Sequence, residues 1–366
     1  MSKRQAAPFR ADHVGSLLRP ASLLAMRKQA AEGAVSGEAL RAHEEQCIAR
    51  VVRMQESLGL EAITDGEYRR ESFHGDFIGR LNGVEFKLFN PSGREPGVGP
   101  FVAVVSAKMT LPPGGIETEN FTFLKSQTTH TPKQTIPSPT MTHFRGGREA
   151  ISKTAYPDMA MFFADLARVY REEIACLAQA GCRYLQLDDT NLAYLCDDAM
   201  RAKVRERGED IERLPHDYAE LINDSIRDRP EDMAVCVHLC RGNARSRWFA
   251  TGGYEPVAET IFNELDVDGF FLEYDDERSG DFAPLRFVPK GKAIVLGLVT
   301  SKRGALEDPD LLKRRVEEAS HYIDIEQLCL SPQCGFASAA EGNLLTEDEQ
   351  NRKLALIVEL AEEIWG

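Results

Sequence analysis

The chain has 366 residues, 43% hydrophobic and 28% charged, which is the balance of a soluble globular protein and not of a disordered one. Its net charge of −14 argues against a nucleic-acid partner or an anionic membrane surface, and no apolar run is long enough to span a bilayer. The eight cysteines are scattered through ordinary core composition, and the opening "MSKRQAAPFRADH" has no apolar stretch after its basic residues, so reduced thiols in the cytoplasm are expected.

In chain order the first strand-like run is "ADHVGSLLRP" (11–20), followed by a helical pattern and then "EAITDGEYRR" (61–70). Residues 80–130 break the rhythm. They hold two alternating runs, "FVAVVSAKMT" and "ENFTFLK", which read as an inserted β-hairpin joined by "LPPGGIE". Further strands are expected at "TPKQTIPSPTM", "RYLQLDDTN", "AVCVHLC", "GFFLEYDD", "AIVLGLVTSK" and "EQLCLSPQCG". Apolar residues at three- and four-residue spacing mark helices between most of them, as in 159–181, which ends at a Gly suited to a C-cap. A charged stretch of roughly 197–230 reads as a helical insert after the fourth strand. Eight strands alternating with helices predict an α/β fold, a (β/α)8 TIM barrel forming a single catalytic domain over 1–366.

In a barrel all C-terminal strand ends meet at one face, so residues far apart in the chain can share a site. His238 and Cys240 alternate on one strand and point to the same side. Glu273 ends "GFFLE", and Cys334 follows the last strand in "SPQCGF". One imidazole, two thiolates and one carboxylate suit tetrahedral Zn2+. Such a site has a net charge near −1, which favours activation of an external thiol over hydrolysis. Glu273, as the carboxylate, is expected to be the exchangeable ligand. Cys47, Cys176 and Cys182 read as core, Cys236 as packing deeper in the barrel, and His321 as an exposed helical residue.

Taken together, "HVGSLLRP", "DGEYRR", "LQLDD", "VHLCRGN", "FFLEYDD" and "SPQCGF" resemble the catalytic C-terminal barrel of cobalamin-independent methionine synthases, more closely the short single-barrel members. The resemblance implies that His238, Cys240, Glu273 and Cys334 hold zinc. It also implies that the Val14-Gly15-Ser16 turn, Glu67 and Asp188 bind homocysteine by its carboxylate and ammonium groups. Two departures follow from it. Thr300 and Lys302 stand where the family has an Asp-x-His proton donor, and lysine gives up its proton poorly near neutrality. The stacking tryptophan of the family has its nearest counterpart in the region of His143 and Phe144.

The leading expectation is therefore a zinc-dependent thiol S-methyltransferase making methionine from homocysteine. The donor stays open between methyltetrahydrofolate, a methylated corrinoid on a carrier protein, a small sulfonium or other methylated compound, and an epoxide. Three alternatives stay open beside it: an alkyltransferase joining coenzyme M to an epoxide, a non-catalytic zinc or small-ligand barrel, and a barrel without metal in which the four residues are core cysteines and scattered acids. Retention of both Glu67 and Asp188 favours an amino-acid thiol over a sulfonate. His13, at the end of the first strand, is a candidate substrate contact near the mouth. Arg69 and Arg70 are expected either to meet an anionic donor or to lie solvated on the surface.

Overall fold

The computed structural model describes Arg4 and residues 6–88 and 101–366. Its strands in chain order are β1 (Ala62–Ile63), β2 (Asn82–Leu88), β3 (Phe101–Thr110), β4 (Thr131–Pro132), β5 (Gln134–Pro137), β6 (Tyr184–Asp189), β7 (Ala234–Leu239), β8 (Gly269–Glu273), β9 (Ala293–Val299) and β10 (Leu328–Pro332). β5 to β10 form one parallel sheet in which each strand is bonded to the next in sequence. β4 runs into β5 and pairs in parallel with β1, while Ala11 bridges Leu330 on the outer edge of β10. The Thr64 hydroxyl donates to Gly15 O at 2.7 Å and joins those two edges, closing the eight-membered TIM barrel.

Period-two burial follows from the barrel walls. Phe9, Val14, Ala62, Tyr184, Cys236, Phe271, Val295 and Cys329 fill the lower interior. Among them lies a fully buried ion pair, Lys133 Nζ to Asp12 at 3.0 Å, with Lys133 over the ring of Phe271 and the Tyr184 hydroxyl donating to Asp12. This plug closes the barrel below the site. Outside, the helix Met159–Ala180 starts on an Asp158 side-chain cap and, as its sequence predicts, ends at a glycine, left-handed Gly181. No helix of the described residues is long and apolar enough to cross a membrane.

Four expectations are corrected. The first run contributes a single bridge at Ala11. Residues 12–20 instead turn over the barrel mouth, with Leu17 N–H donating to Gly66 O. The strand paired with β3 is β2, with Val84 facing Val105. "ENFTFLK" lies in the helix Thr118–Gln127, because its buried Phe121 and Leu124 are three apart, a helical spacing. Residues 89–100 of that insertion lie outside the described residues. Within the stretch read as a helical insert, Leu214–Ile226 packs between Met159–Ala180 and Glu255–Glu264 as an ordinary crossover helix, and Asp198–Glu206 is the additional one. Finally, neither Arg69 nor Arg70 is solvated. Arg69 packs over Phe123, and Arg70 is buried with its Nη1 donating to Thr135 Oγ1 at 2.9 Å.

Candidate active site

β7, β8 and the turn after β10 bring His238, Cys240, Glu273 and Cys334 together at the C-terminal face. All four are buried, and one donor atom from each lies within 4.8 Å of the others. Cys240 Sγ and Cys334 Sγ are 3.4 Å apart. Neither ring nitrogen of His238 makes a hydrogen bond of normal geometry. Burial opposes the charged imidazole, but the neighbouring Cys334 sulfur outweighs it and raises the pKa of His238. The contact with Cys240, helped by His238, holds the Cys334 thiol well down, while the same contact pushes Cys240 well up. One imidazole, two sulfurs sharing a proton and a carboxylate, with the imidazole nitrogens unpartnered, are a donor set that fits a tetrahedral cation.

Glu273 is the most firmly held of the four. Its Oε1 accepts from Arg241 N–H at 3.2 Å and from Gln333 Nε2 at 3.4 Å, and its Oε2 pairs with Arg278 at 3.2 Å. The Tyr254 hydroxyl accepts from Glu273 N–H at 2.9 Å and from Arg241 Nη1 at 2.8 Å. Burial pushes the carboxyl up, but Lys302 first, then Arg241 and Arg278, bring it below its usual range. Any loosening of Glu273 must therefore break contacts to several residues at once.

Beside this set a cavity of about 230 Å3 is lined by Val14, Ser16, Glu67, Asp188, His238, Cys240 and Cys334, among others. Glu67 adopts a left-handed φ of 59°, which a non-glycine residue holds only when its surroundings enforce it. Thr135 Oγ1 donates to Glu67 Oε1 at 2.8 Å and Arg70 lies 3.5 Å from it, whereas buried Oε2 has no partner among the described residues. Asp188 Oδ1 accepts from Gln186 at 2.7 Å. Burial, then the nearby Glu67 charge, push Asp188 up to about 7, and burial raises Glu67 too. Two acids that disfavour each other's charge across a cavity form a receptor for a cation.

A model of the cobalamin-independent synthase catalytic domain matches residues 9–363. The chain belongs to that family. Among relatives, the uncharacterized Bacillus subtilis protein YxjH is 47% identical, over 99% of this chain and 96% of its own. The Pyrococcus abyssi methionine synthase is 24% identical, over 88% and 85%. A Listeria monocytogenes structure provisionally described as a vitamin-B12-independent methionine synthase is 40% identical with a TM-score of 0.81, covering 99% and 100%. A Shewanella B12-independent methionine synthase, at 18% identity and a TM-score of 0.71 over 97% of each chain, shares the fold. Membership in the cobalamin-independent synthase family makes this a methionine-synthase-like methyltransferase.

The remaining candidates fall at different depths in this member of the family. Gly15 shapes the turn that presents Ser16, with φ at 134° and no room for a Cβ, which would sit 2.7 Å from Thr135 Cγ2. His13 is buried beside Ala62 O, at 3.2 Å from its Nε2, and is not part of the cavity lining. Lys302 lies behind Glu273 with its buried Nζ unpartnered, and Thr300 N–H donates to Glu307. His143 bonds the Tyr218 hydroxyl at 2.8 Å, while Phe144 lines a shallow groove adjoining the cavity. Residue-by-residue reading missed Thr135 and the part Arg70 plays beside it in aiming Glu67, and Arg241, Arg278, Tyr254 and Gln333, which aim Glu273. Adjacency was the available signal for two of them, since Arg241 follows Cys240 and Arg278 lies five residues after Glu273.

Proposed function

We propose that this chain is a zinc-dependent homocysteine S-methyltransferase that forms methionine. His238, Cys240, Glu273 and Cys334 are its zinc ligands. Zinc, when bound there, lowers the pKa of a thiol while the anionic ligands keep the sulfur nucleophilic. Glu67 and Asp188 grip the homocysteine ammonium, and Ser16, on the Val14–Ser16 turn, takes its carboxylate. Thr135 and Arg70 hold Glu67 in place and oppose the upward push of burial on its carboxyl, so that sulfur is presented in one orientation and little orientational entropy is left to lose during transfer. The plug of Lys133 and Asp12 keeps the cavity floor closed to bulk water.

The observation that carries this reading is Glu67 Oε2, a buried acceptor without a partner among the described residues, on the wall of the cavity that the ligand set shares. Burying such an oxygen costs free energy unless a donor arrives, and an amino-acid ammonium is such a donor. A thiol bearing a sulfonate, such as coenzyme M, would meet Glu67 and Asp188 with like charge. The test is calorimetric binding of homocysteine and of coenzyme M to the zinc-loaded protein. Binding of homocysteine at least tenfold tighter supports the reading, and equal or reversed preference overturns it.

A further inference from the structure

The cavity has a second end that the homocysteine groups do not use. Its lining includes Phe73, His74, Arg145, Tyr194 and Phe249, from the loops after β1, β5, β6 and β7. His74 is 7% exposed, packs against the rings of Phe73 and Phe86, and has no partner on either nitrogen among the described residues. Among the described residues the Arg145 guanidinium makes no hydrogen bond or ion pair, although it fronts a cavity that also holds Glu67, Asp188 and Asp189. Arg145 is close to both His74 and Tyr194, since its charge acts on each of them.

Resting on the reading of the site as a homocysteine methyltransferase, we propose that this end binds the methyl donor, and that the donor is a small carboxylated onium compound, a methyl sulfonium or quaternary ammonium. Its carboxylate sits between Arg145 and the neutral His74 N–H. Its cationic head lies against the rings of Phe73, Tyr194 and Phe249, a surface that attracts methylated cations.

Two further observations agree. At about 230 Å3 the cavity is smaller than the ~300–1,000 Å3 typical of sites for drug-sized ligands, so beside homocysteine it has room for a donor of similar size only. Among the described residues, the donor end also lacks a group ready to protonate a leaving atom. Burial, then Arg145, hold His74 down at about 3, so it is already neutral, and burial pushes Tyr194 up to about 12. An onium donor needs no such acid. The homocysteine thiol gives up its proton to solvent, and its sulfur forms the bond to the methyl carbon as the carbon–sulfur or carbon–nitrogen bond of the donor breaks. The bonding pair stays on the departing heteroatom, which leaves as a neutral thioether or amine.

The test uses the zinc-loaded protein with dimethylsulfoniopropionate and glycine betaine as probes, and methyltetrahydrofolate triglutamate and methylcobalamin as rival donors. Homocysteine binding is measured first, by calorimetry. If it fails, the parent reading falls. If it succeeds, the onium inference stands on its own outcome. The inference expects methionine from at least one onium probe, and binding of that probe weakened at least tenfold in Arg145→Ala with zinc content and homocysteine affinity unchanged. Methionine from a folate or corrinoid donor alone, no onium binding, or equal onium binding by Arg145→Ala would each overturn it. A second variant, Arg145→Lys, keeps the charge and is expected to recover part of the affinity, which a merely structural role for the guanidinium would not predict.

Discussion

Cys240 Sγ and Cys334 Sγ lie 3.4 Å apart although 94 positions separate them in the chain. The contact exists because β7 and the turn after β10 end on the same rim of one closed barrel. Cys334→Ser is expected to lower bound zinc from about one per chain to a small fraction by elemental analysis, with an unchanged far-ultraviolet dichroism spectrum. Full zinc in the variant would remove Cys334 from the ligand set. Chelation of the parent is expected to lower its melting temperature, since a ligand at a thousand times its Kd stabilises the folded state by about 4 kcal/mol.

Tyr254 touches no candidate donor atom, yet its hydroxyl holds both the Glu273 backbone and Arg241. Tyr254→Phe leaves the buried Glu273 N–H without an acceptor, at a cost of about 1–3 kcal/mol. Zinc affinity is expected to fall roughly 10–100-fold, the range typical when an outer support of a metal site is removed. Competition against a chromophoric chelator measures it, and parent-like affinity would show that Glu273 is aimed by other contacts.

Gly15 is the position where backbone and cavity constrain each other. A Cβ there would lie 2.7 Å from Thr135 Cγ2 and 3.3 Å from Glu67 Oε1, on a backbone at φ 134°. Gly15→Ala is expected to destabilise the fold by about 1–3 kcal/mol in urea titrations. It is also expected to weaken homocysteine binding, because the Thr135 that must give way is the donor that fixes Glu67. A variant with parent-like unfolding and binding would refute this coupling.

His143 lies outside the cavity lining and reports on acid stability alone. Burial, then Arg207 and Arg148, depress its pKa from 6.5 to about 3. A histidine with a lowered folded-state pKa stabilises the fold above pH 6.5, and that contribution is lost as pH falls from 6.5 towards 3. Between pH 7 and 5 the loss is about 2 kcal/mol, from roughly 1.36 kcal/mol per pKa unit over the 1.5 units below 6.5. His143→Gln is therefore expected to lose about 2 kcal/mol less than the parent over that interval. Urea unfolding at both pH values tests the difference, and parallel pH profiles would refute it.

Local chemistry made much of the site legible. The alternation in "AVCVHLC" by itself puts Cys236, His238 and Cys240 on one side of a strand, and the structure has Cys236 in the lower interior below the other two. The helix 159–180 was legible from its spacing and caps for the same reason, because period and capping act within a few residues. Pairing across the chain was not. The alternation of "FVAVVSAKMT" marks a strand but does not select its partner, and only the fold decides that it is 82–88 and not 119–125.

Burial of charge was equally invisible in one dimension. "EYRR" reads equally as a donor contact or a solvated segment, yet Arg70 is enclosed by Glu67, Glu117 and Thr135, and Arg145 faces the cavity. By itself the sequence determined which side chains carry the chemistry and which way the strand residues alternate, since those follow from residue type and backbone period. Only the tertiary structure decided which charges are taken out of water and which partners hold them. Desolvation and hydrogen bonding at a barrel mouth depend on loops that meet in space after eight strands have closed.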